Sequence, residues 1–329
     1  MGIALVALAW LAGLGMALYA SEMLVHALTT LGARLRLSLG LLGILIAFGA
    51  DAPEVTSALI AALRGSTDVG MGVILGSNIY NLAALLGLSA AIAGSITTNP
   101  YRLTLDGGMN GLLTLGLVGL ILVPGRHLAI GVLLLLLLLA YMALESASQD
   151  RVLRRLPAML RRRLSPVEAP SPPATSPASH LIAPLGLAAI SVVFIIAGSD
   201  ILVNTSLTLG ARLGLPSPII GTFVLAIATS LPNTWAAISL ARRGLATSAV
   251  AMTFSSNSIN AGLGTGLPSL VVSLHVSSTA RTLGAPWLIG MTALAIVLLA
   301  TRRSLSRREG MVLLAAYGAF VAVYLAVLH

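Results

Sequence analysis

One hydrophobic pattern occurs twice in this chain, and that duplication limits the architectures open to it. The stretch from Leu24 to Asn81 reappears between Leu202 and Asn260. Leu24-Val25 recurs as Leu202-Val203 and Leu31-Gly32-Ala33-Arg34 as Leu209-Gly210-Ala211-Arg212, both at an offset of 178 (24 + 178 = 202). Ala47 to Glu54, reading Ala-Phe-Gly-Ala-Asp-Ala-Pro-Glu, faces Ala226 to Asn233, reading Ala-Ile-Ala-Thr-Ser-Leu-Pro-Asn, at an offset of 179. Gly76-Ser77-Asn78-Ile79-Tyr80-Asn81 faces Ser255-Ser256-Asn257-Ser258-Ile259-Asn260 at the same offset, so one residue separates the registers of these blocks. Two apolar copies, each with a Pro among carboxylate, amide and hydroxyl side chains, predict a two-repeat protein with a polar site where the repeats meet.

The setting is a lipid bilayer. With 57% hydrophobic and 9% charged residues and a mean hydropathy of +0.99, the chain has too little polar surface to coat a soluble core of this length. Lipid leaves no water to satisfy open backbone groups, so the spans are helices of about 20 residues or more. The apolar runs predict ten of them, near 3–28, 38–63, 69–94, 103–123, 127–147, 182–210, 216–241, 246–273, 283–301 and 310–328. The expected fold is an all-α membrane protein of ten transmembrane helices, arranged as two inverted five-helix repeats. The first repeat takes residues 1–147, a basic, Pro-rich cytoplasmic linker 148–181, and the second repeat 182–329. An odd number of helices per half makes the second copy enter the membrane from the opposite side, hence the inversion.

All 19 basic residues are Arg, and their distribution carries the orientation. With the linker in the cytoplasm, Arg34, Arg36, Arg102, the six linker arginines, Arg242, Arg243, Arg302, Arg303, Arg307 and Arg308 lie inside, leaving Arg64, Arg126, Arg212 and Arg281 outside. That 15 to 4 division places both termini outside. The net charge of +9 is accounted for by topology and anionic lipid, so no nucleic-acid partner is expected. The first segment, polar at Ser21-Glu22, reads as a retained helix and not a cleaved signal peptide. Residues 150–163 suit a basic amphipathic helix on the inner leaflet, and the Pro-rich remainder of the linker a tether. There are no cysteines, and His26, His127, His180, His275 and His329 share no ligand spacing, so neither thiolate nor histidine metal sites are expected. No nucleophile, phosphate-loop or redox motif is present, and no enzymatic chemistry or cofactor is expected.

Within the repeats, Pro53 and Pro232 each remove a backbone donor in mid-helix and bend it, leaving carbonyl oxygens for other partners. Asp51 and Glu54 flank Pro53. A carboxylate at that depth costs several kcal/mol unless it has a use, so both are candidate cation ligands. Hard cations such as Ca2+ and Na+ take carboxylate, amide, hydroxyl and carbonyl oxygens, about 6 to 8 of them for Ca2+.

The segment from Gly43 to Glu54, with Gly76-Ser77-Asn78-Ile79-Tyr80-Asn81, closely resembles the first alpha-repeat of the calcium/cation antiporter superfamily, the sodium/calcium exchangers and their relatives. The family pattern is approximately G-x-T-x-x-A-x-G-T-S-x-P-E followed by G-S-N-x-x-N or G-S-N-x-x-D, once per half. The resemblance covers both repeat cores and, through helix count, linker position and charge bias, nearly the whole chain. It implies that Glu54, Ser77, Asn81 and the Ala47 carbonyl are first-repeat ligands, and that Thr229, Ser230, Ser256, Asn260 and the Ala226 carbonyl are their second-repeat counterparts. Asn78 and Asn257 match the Asn of the same signature and are expected to brace helices.

Two positions depart from the pattern. Asn233 stands where the second repeat usually carries Glu, and Ala50-Asp51 where the first carries Thr-Ser. One acid is lost and one gained, so the site keeps its formal charge with Asp51 and Asn233 exchanged in role. Two close carboxylates repel, which sharing one proton relieves. The expected function is secondary antiport of Ca2+ or a related cation against Na+ by alternating access, in an integral membrane protein of a prokaryotic plasma membrane, its partners being the transported cations and lipid. No obligate protein partner is inferred. The alternatives are a proton-coupled divalent cation exchanger on the same fold, and a transport-inactive scaffold acting in interaction or regulation.

Overall fold

A computed structural model describes residues 2–35, 39–146, 181–242 and 246–328. The expected inner-leaflet helix at 150–163, the tether and most of the basic loop lie outside the described residues, as do His180, His329, Arg36 and Arg243. Among the described residues ten helical runs follow one another: α1 Ile3–Arg34, α2 Leu39–Leu63, α3 Thr67–Ala93, α4 Pro100–Leu122, α5 His127–Ser146, α6 Ile182–Leu213, α7 Ser217–Arg242, α8 at 246–271, α9 Ala280–Arg302 and α10 Arg307–Leu328. All but α8 are long and apolar enough to count as spans by length and hydropathy. α8 is as long, but rich in Ser, Thr, Asn and Gly.

Contacts between loops show that α8 crosses as well. Strand β1, Ser95–Thr97, between α3 and α4, pairs antiparallel with β2, Ser304–Ser306, between α9 and α10, with Ile96 and Leu305 buried against each other. This strand pair was not expected from the sequence, because three-residue strands carry no periodic signal of their own. It requires the two loops to share one membrane face, so the chain makes an even number of crossings between them. Among the described residues, helices α4 to α9 supply that number only if α8 is one of the spans. At the opposite face the His275 N–H, before α9, donates to Thr67 Oγ1 at the start of α3, 3.3 Å away.

The repeat is visible in the backbone. α3 widens into a π segment at Leu82–Leu88 and α8 at Asn260–Thr265, an offset of 178 (82 + 178 = 260). α4 does so at Leu103–Gly107 and α9 at Ala280–Gly284, an offset of 177 (103 + 177 = 280). α2 and α7 are continuous through Pro53 and Pro232, so the prolines mark polar turns within helices and not breaks. α7 has its irregularity earlier, a π segment at Ile220–Leu225.

α3 is central and buried almost throughout. It meets α7 backbone to backbone: a Cβ on Gly72 would lie 3.0 Å from the Thr222 nitrogen, and one on Gly76 would overlap the Thr222 carbonyl. α1 and α6, longer than a bilayer requires, lean on each other at a similar glycine crossing, where a Cβ on Gly198 would come 2.7 Å from the Ala17 nitrogen. Trp10 Nε1 donates to Ser206 Oγ across that pair at 2.8 Å, and both helices pack on α2. Ile3, Leu5, Leu8 and Leu11 on α1, with Leu185, Ile190 and Val193 on α6, face outward, as lipid-facing side chains should.

Candidate cation site

The polar site begins with the backbone of α2. Pro53 has no N–H, which leaves the carbonyl of Gly49, four residues earlier, without its helical donor. Ser21 Oγ of α1 donates to that carbonyl at 2.8 Å. With this turn satisfied from one side, Asp51 and Glu54 are held in the interior, neither measurably exposed.

Their partners come from the other repeat. Asn233 Nδ2 on α7 donates to Asp51 Oδ1 at 2.6 Å and reaches Glu54 Oε1 at 3.4 Å. Ser230 Oγ, also on α7, donates to Glu54 Oε1 at 3.0 Å, and Ser256 Oγ on α8 to Asp51 Oδ1 at 2.6 Å. Asn81 Nδ2 on α3 closes the ring by donating to Ser256 Oγ at 3.2 Å and to Asn257 Oδ1 at 3.1 Å. The orientation of the Asn233 amide follows from its surroundings, since turning it would set an oxygen against two carboxylates. Below the ring, Asn78 Nδ2 donates to the Asn257 carbonyl at 3.3 Å and Asn257 Nδ2 to the Asn78 carbonyl at 2.9 Å. This reciprocal pair joins α3 to α8 across the pseudo-twofold axis, the bracing expected of these two residues.

The eleven residues singled out in the sequence, Ala47, Asp51, Glu54, Ser77, Asn81, Ala226, Thr229, Ser230, Asn233, Ser256 and Asn260, are all buried. Six of them form the ring. Ser77 and Thr229 instead donate to carbonyls of their own helices, those of Val73 and Leu225. A hydroxyl that spends its proton this way still presents oxygen lone pairs elsewhere. Asn260 makes no side-chain hydrogen bond. Ser57 of α2, one turn beyond Pro53 and fully buried with no partner for its Oγ, was not picked out from the sequence. Its spacing from Pro53 was the only signal for it.

The oxygens without donors define what such a cage suits. Asp51 Oδ2, Glu54 Oε2, Asn81 Oδ1, Asn233 Oδ1 and Asn260 Oδ1 are buried and accept nothing. Each would cost roughly 1–3 kcal/mol, and the carboxylates more, if left permanently unpartnered. The hydrogen bonds that reach the two acids come from hydroxyls and an amide, which orient the carboxylates without neutralising them. Buried oxygens of this kind, with negative charge and no neutralising side chain bonded to them among the described residues, suit a hard cation.

The model of the sodium/calcium exchanger protein family matches residues 5–146 and 183–326. The chain belongs to that family. Among curated proteins it resembles the putative antiporter CaxA of Alkalimonas amylolytica, 27% identical over 319 residues that span 93% of this chain and 94% of that one. It also resembles the sodium/calcium exchanger MaX1 of Methanosarcina acetivorans, 31% identical over 134 residues, which are 41% of this chain and 38% of MaX1. Among solved structures it is similar to the sodium-calcium exchanger NCX_Mj soaked with 2.5 mM Na+ and 10 mM Sr2+, at a TM-score of 0.65 and 22% identity over 98% of this chain and 99% of that one. At that identity the structural likeness carries the fold alone. The family is one of membrane transporters, and the match to both halves agrees with the duplicated pattern.

Proposed function

We propose that this exchanger-family protein is a secondary antiporter that moves Ca2+, or a related divalent cation, against Na+. The observation that carries the reading is the pair of buried acids. Asp51 and Glu54 each have one oxygen engaged by donors of the second repeat and one oxygen without a donor. Two ionised carboxylates match the charge of a divalent ion, and the free oxygens of Asn81, Asn233 and Asn260 extend the ligand set. Ser77 and Thr229, and the carbonyls of Ala47 and Ala226, complete it in this reading. Asn233 serves as a spacer whose nitrogen holds the two acids and whose oxygen faces the ion.

The two five-helix units, 1–147 and 182–329, contribute opposite faces of the cage. The glycine-crossed pair of α1 and α6 packs across α2, in position to expose the cage alternately to either side. The linker side is taken as cytoplasmic, with both termini outside, because the arginine division follows the positive-inside rule. Protease supplied from that side of oriented vesicles should cut within 148–181, and the opposite accessibility would reverse the assignment.

A second reading rests on one bond pattern. Asn233 Nδ2 reaches both Asp51 Oδ1 and Glu54 Oε1, so the two like charges are close enough for one shared proton to relieve them, and H+ replaces Na+ as the counter-ion. Purified protein in liposomes, with Ca2+ flux followed under separately imposed Na+ and H+ gradients, tests both. Flux driven by Na+ supports the first reading and flux driven only by H+ the second, while no flux under either gradient removes both in favour of a transport-inactive scaffold.

A further inference from the structure

A second pair of buried acids lies away from the cation site. Asp106 sits in the π segment of α4 and Glu145 near the end of α5, 1% and 8% exposed. Arg102 Nη1 is 2.5 Å from Glu145 Oε2 but 3.8 Å from Asp106 Oδ1, so the guanidinium is bonded to only one of them. Asp106 Oδ1 instead accepts the Tyr141 hydroxyl at 3.1 Å. With both acids ionised, the cluster holds a net charge of −1 in the protein interior. Asp106 Oδ2 and Glu145 Oε1 take no hydrogen bond.

A further buried polar group lies on the same helix as Asp106. Asn110 lies four residues after Asp106, on the same face of α4, and is fully buried with no partner for either amide atom. Its oxygen is an acceptor that lacks a donor, as is Glu145 Oε1. We propose that Asp106 and Glu145, with Arg102, Tyr141 and Asn110, form a proton-binding site separate from the cation site, which takes up one proton from the linker side of the membrane. The proton bonds to Asp106 Oδ2, turning a carboxylate into a carboxylic acid and the net charge from −1 to 0. The new O–H supplies the donor that Glu145 Oε1 lacks.

The ligand is a proton and not a metal ion for two reasons. Arg102 already holds the cationic position and repels another cation. Only three unpartnered side-chain oxygens, Asp106 Oδ2, Glu145 Oε1 and Asn110 Oδ1, are at hand, fewer than the hard cations take. The proton enters along Arg102, whose side chain is 32% exposed. Asp106 is six residues into α4 and Asp51 twelve into α2, roughly 9 Å and 18 Å along helices that start on the linker side, so the cluster lies nearer that surface.

Among the described residues, the surroundings supply little else that titrates. Tyr101, beside Arg102, is the remaining phenol; α8 carries no ionisable residue over 246–271; α9 contributes only Arg281 and Arg302, both exposed; and α2 carries only Asp51 and Glu54. The π segment of the second repeat, Ala280–Gly284, has no acid, so the cluster is not a by-product of the duplication. It is also mechanically close to the cation site. Tyr141 and Leu138 pack with Ala47 and Val55 of α2 and Ile259 of α8, which flank the ring residues. A charge change at Asp106 therefore acts on the wall of that site.

Infrared difference spectroscopy of the full chain, made as the Asp51→Asn/Glu54→Gln variant to silence the cation site, tests the proposal without relying on transport. A protonated-carboxyl stretch should grow as pH is lowered, vanish with Asp106→Asn, and persist with Asp200→Asn. Tyr141→Phe should keep the band and move the midpoint of its titration, which covers the case in which Asp106→Asn fails to fold. A band indifferent to both Asp106→Asn and Tyr141→Phe would overturn the proposal. So would the absence of a band together with Na+ binding that survives in the same background and is lost with Asp106→Asn, which would give the cluster to a metal ion.

Discussion

α2 and α7 are two copies of one helix, and they have divided the work of the site. Both run continuously through a mid-helix proline and both bury the polar side chains beside it, although α7 also exposes Leu231 and Trp235. In α2 the carbonyl freed by Pro53 is taken by Ser21 of α1, and the turn presents two carboxylates. In α7 the matching turn presents Ser230 and Asn233, which donate to those carboxylates. The repeat partner of Ser21 is Ser199 (21 + 178 = 199), buried on α6 with no bond to its hydroxyl. At these turns α2 thus accepts and α7 donates. The duplication fixes where the ring stands; the exchange of acid for amide fixes where its charge lies.

The largest effect expected from breaking this comparison comes from Glu54→Gln. The amide keeps the shape and removes the charge; its oxygen can still accept from Ser230 and Asn233, and its nitrogen then replaces the oxygen that has no donor. Cation flux in liposomes should fall by about 100-fold or more, the scale of losing a buried charge worth roughly 3 kcal/mol or more, while membrane insertion and monodispersity stay intact. Undiminished flux would place the site elsewhere.

Next in size is the exchange between repeats. Asp51→Ser should weaken divalent binding by about 10- to 100-fold, and Asn233→Glu should overcharge the cage and slow ion release. The double variant moves the second acid to α7 and should recover affinity beyond the sum of the single effects, with a coupling of about 1–3 kcal/mol in a double-mutant cycle. Additive losses would deny that Asp51 stands in for the acid missing at Asn233.

The smallest effect separates the two serines. Ser21→Ala leaves the Gly49 carbonyl without a donor and should cost about 1–3 kcal/mol in thermal unfolding. Ser199→Ala removes a hydroxyl that bonds nothing and should be near neutral. Equal losses would remove the asymmetry between α1 against α2 and α6 against α7.

Much of this was legible in the sequence for one physical reason: lipid forces helices of a minimum length, so apolar runs predict spans. The ten expected spans fall within a few residues of the ten helices, including polar α8, expected at 246–273 and found at 246–271. The ring was legible through Asp51, Glu54, Ser230, Asn233, Ser256 and Asn81 because intramembrane polar groups are costly and these stood in register twice. Partner choice was not legible. Ser77 turns to its own helix while Ser256 reaches Asp51, a difference set by helix rotation that spacing does not encode. Asp106 and Glu145 belong to no duplicated motif, and Ser21 has a counterpart in Ser199 that bonds nothing, so the roles of all three depend on which helix packs beside them. The π segments escaped notice because one extra residue in a turn leaves an apolar run unchanged.

The central claim is that the acids of α2, held by the donors of α7 and α8, bind the transported ion. Calorimetric titration of Ca2+ into the purified, detergent-solubilised protein tests it most directly, with the wild type and Glu54→Gln run side by side. Saturable binding by the wild type that competes with Na+ and is lost in Glu54→Gln is the result expected. Ca2+ binding of equal affinity in both proteins would contradict it.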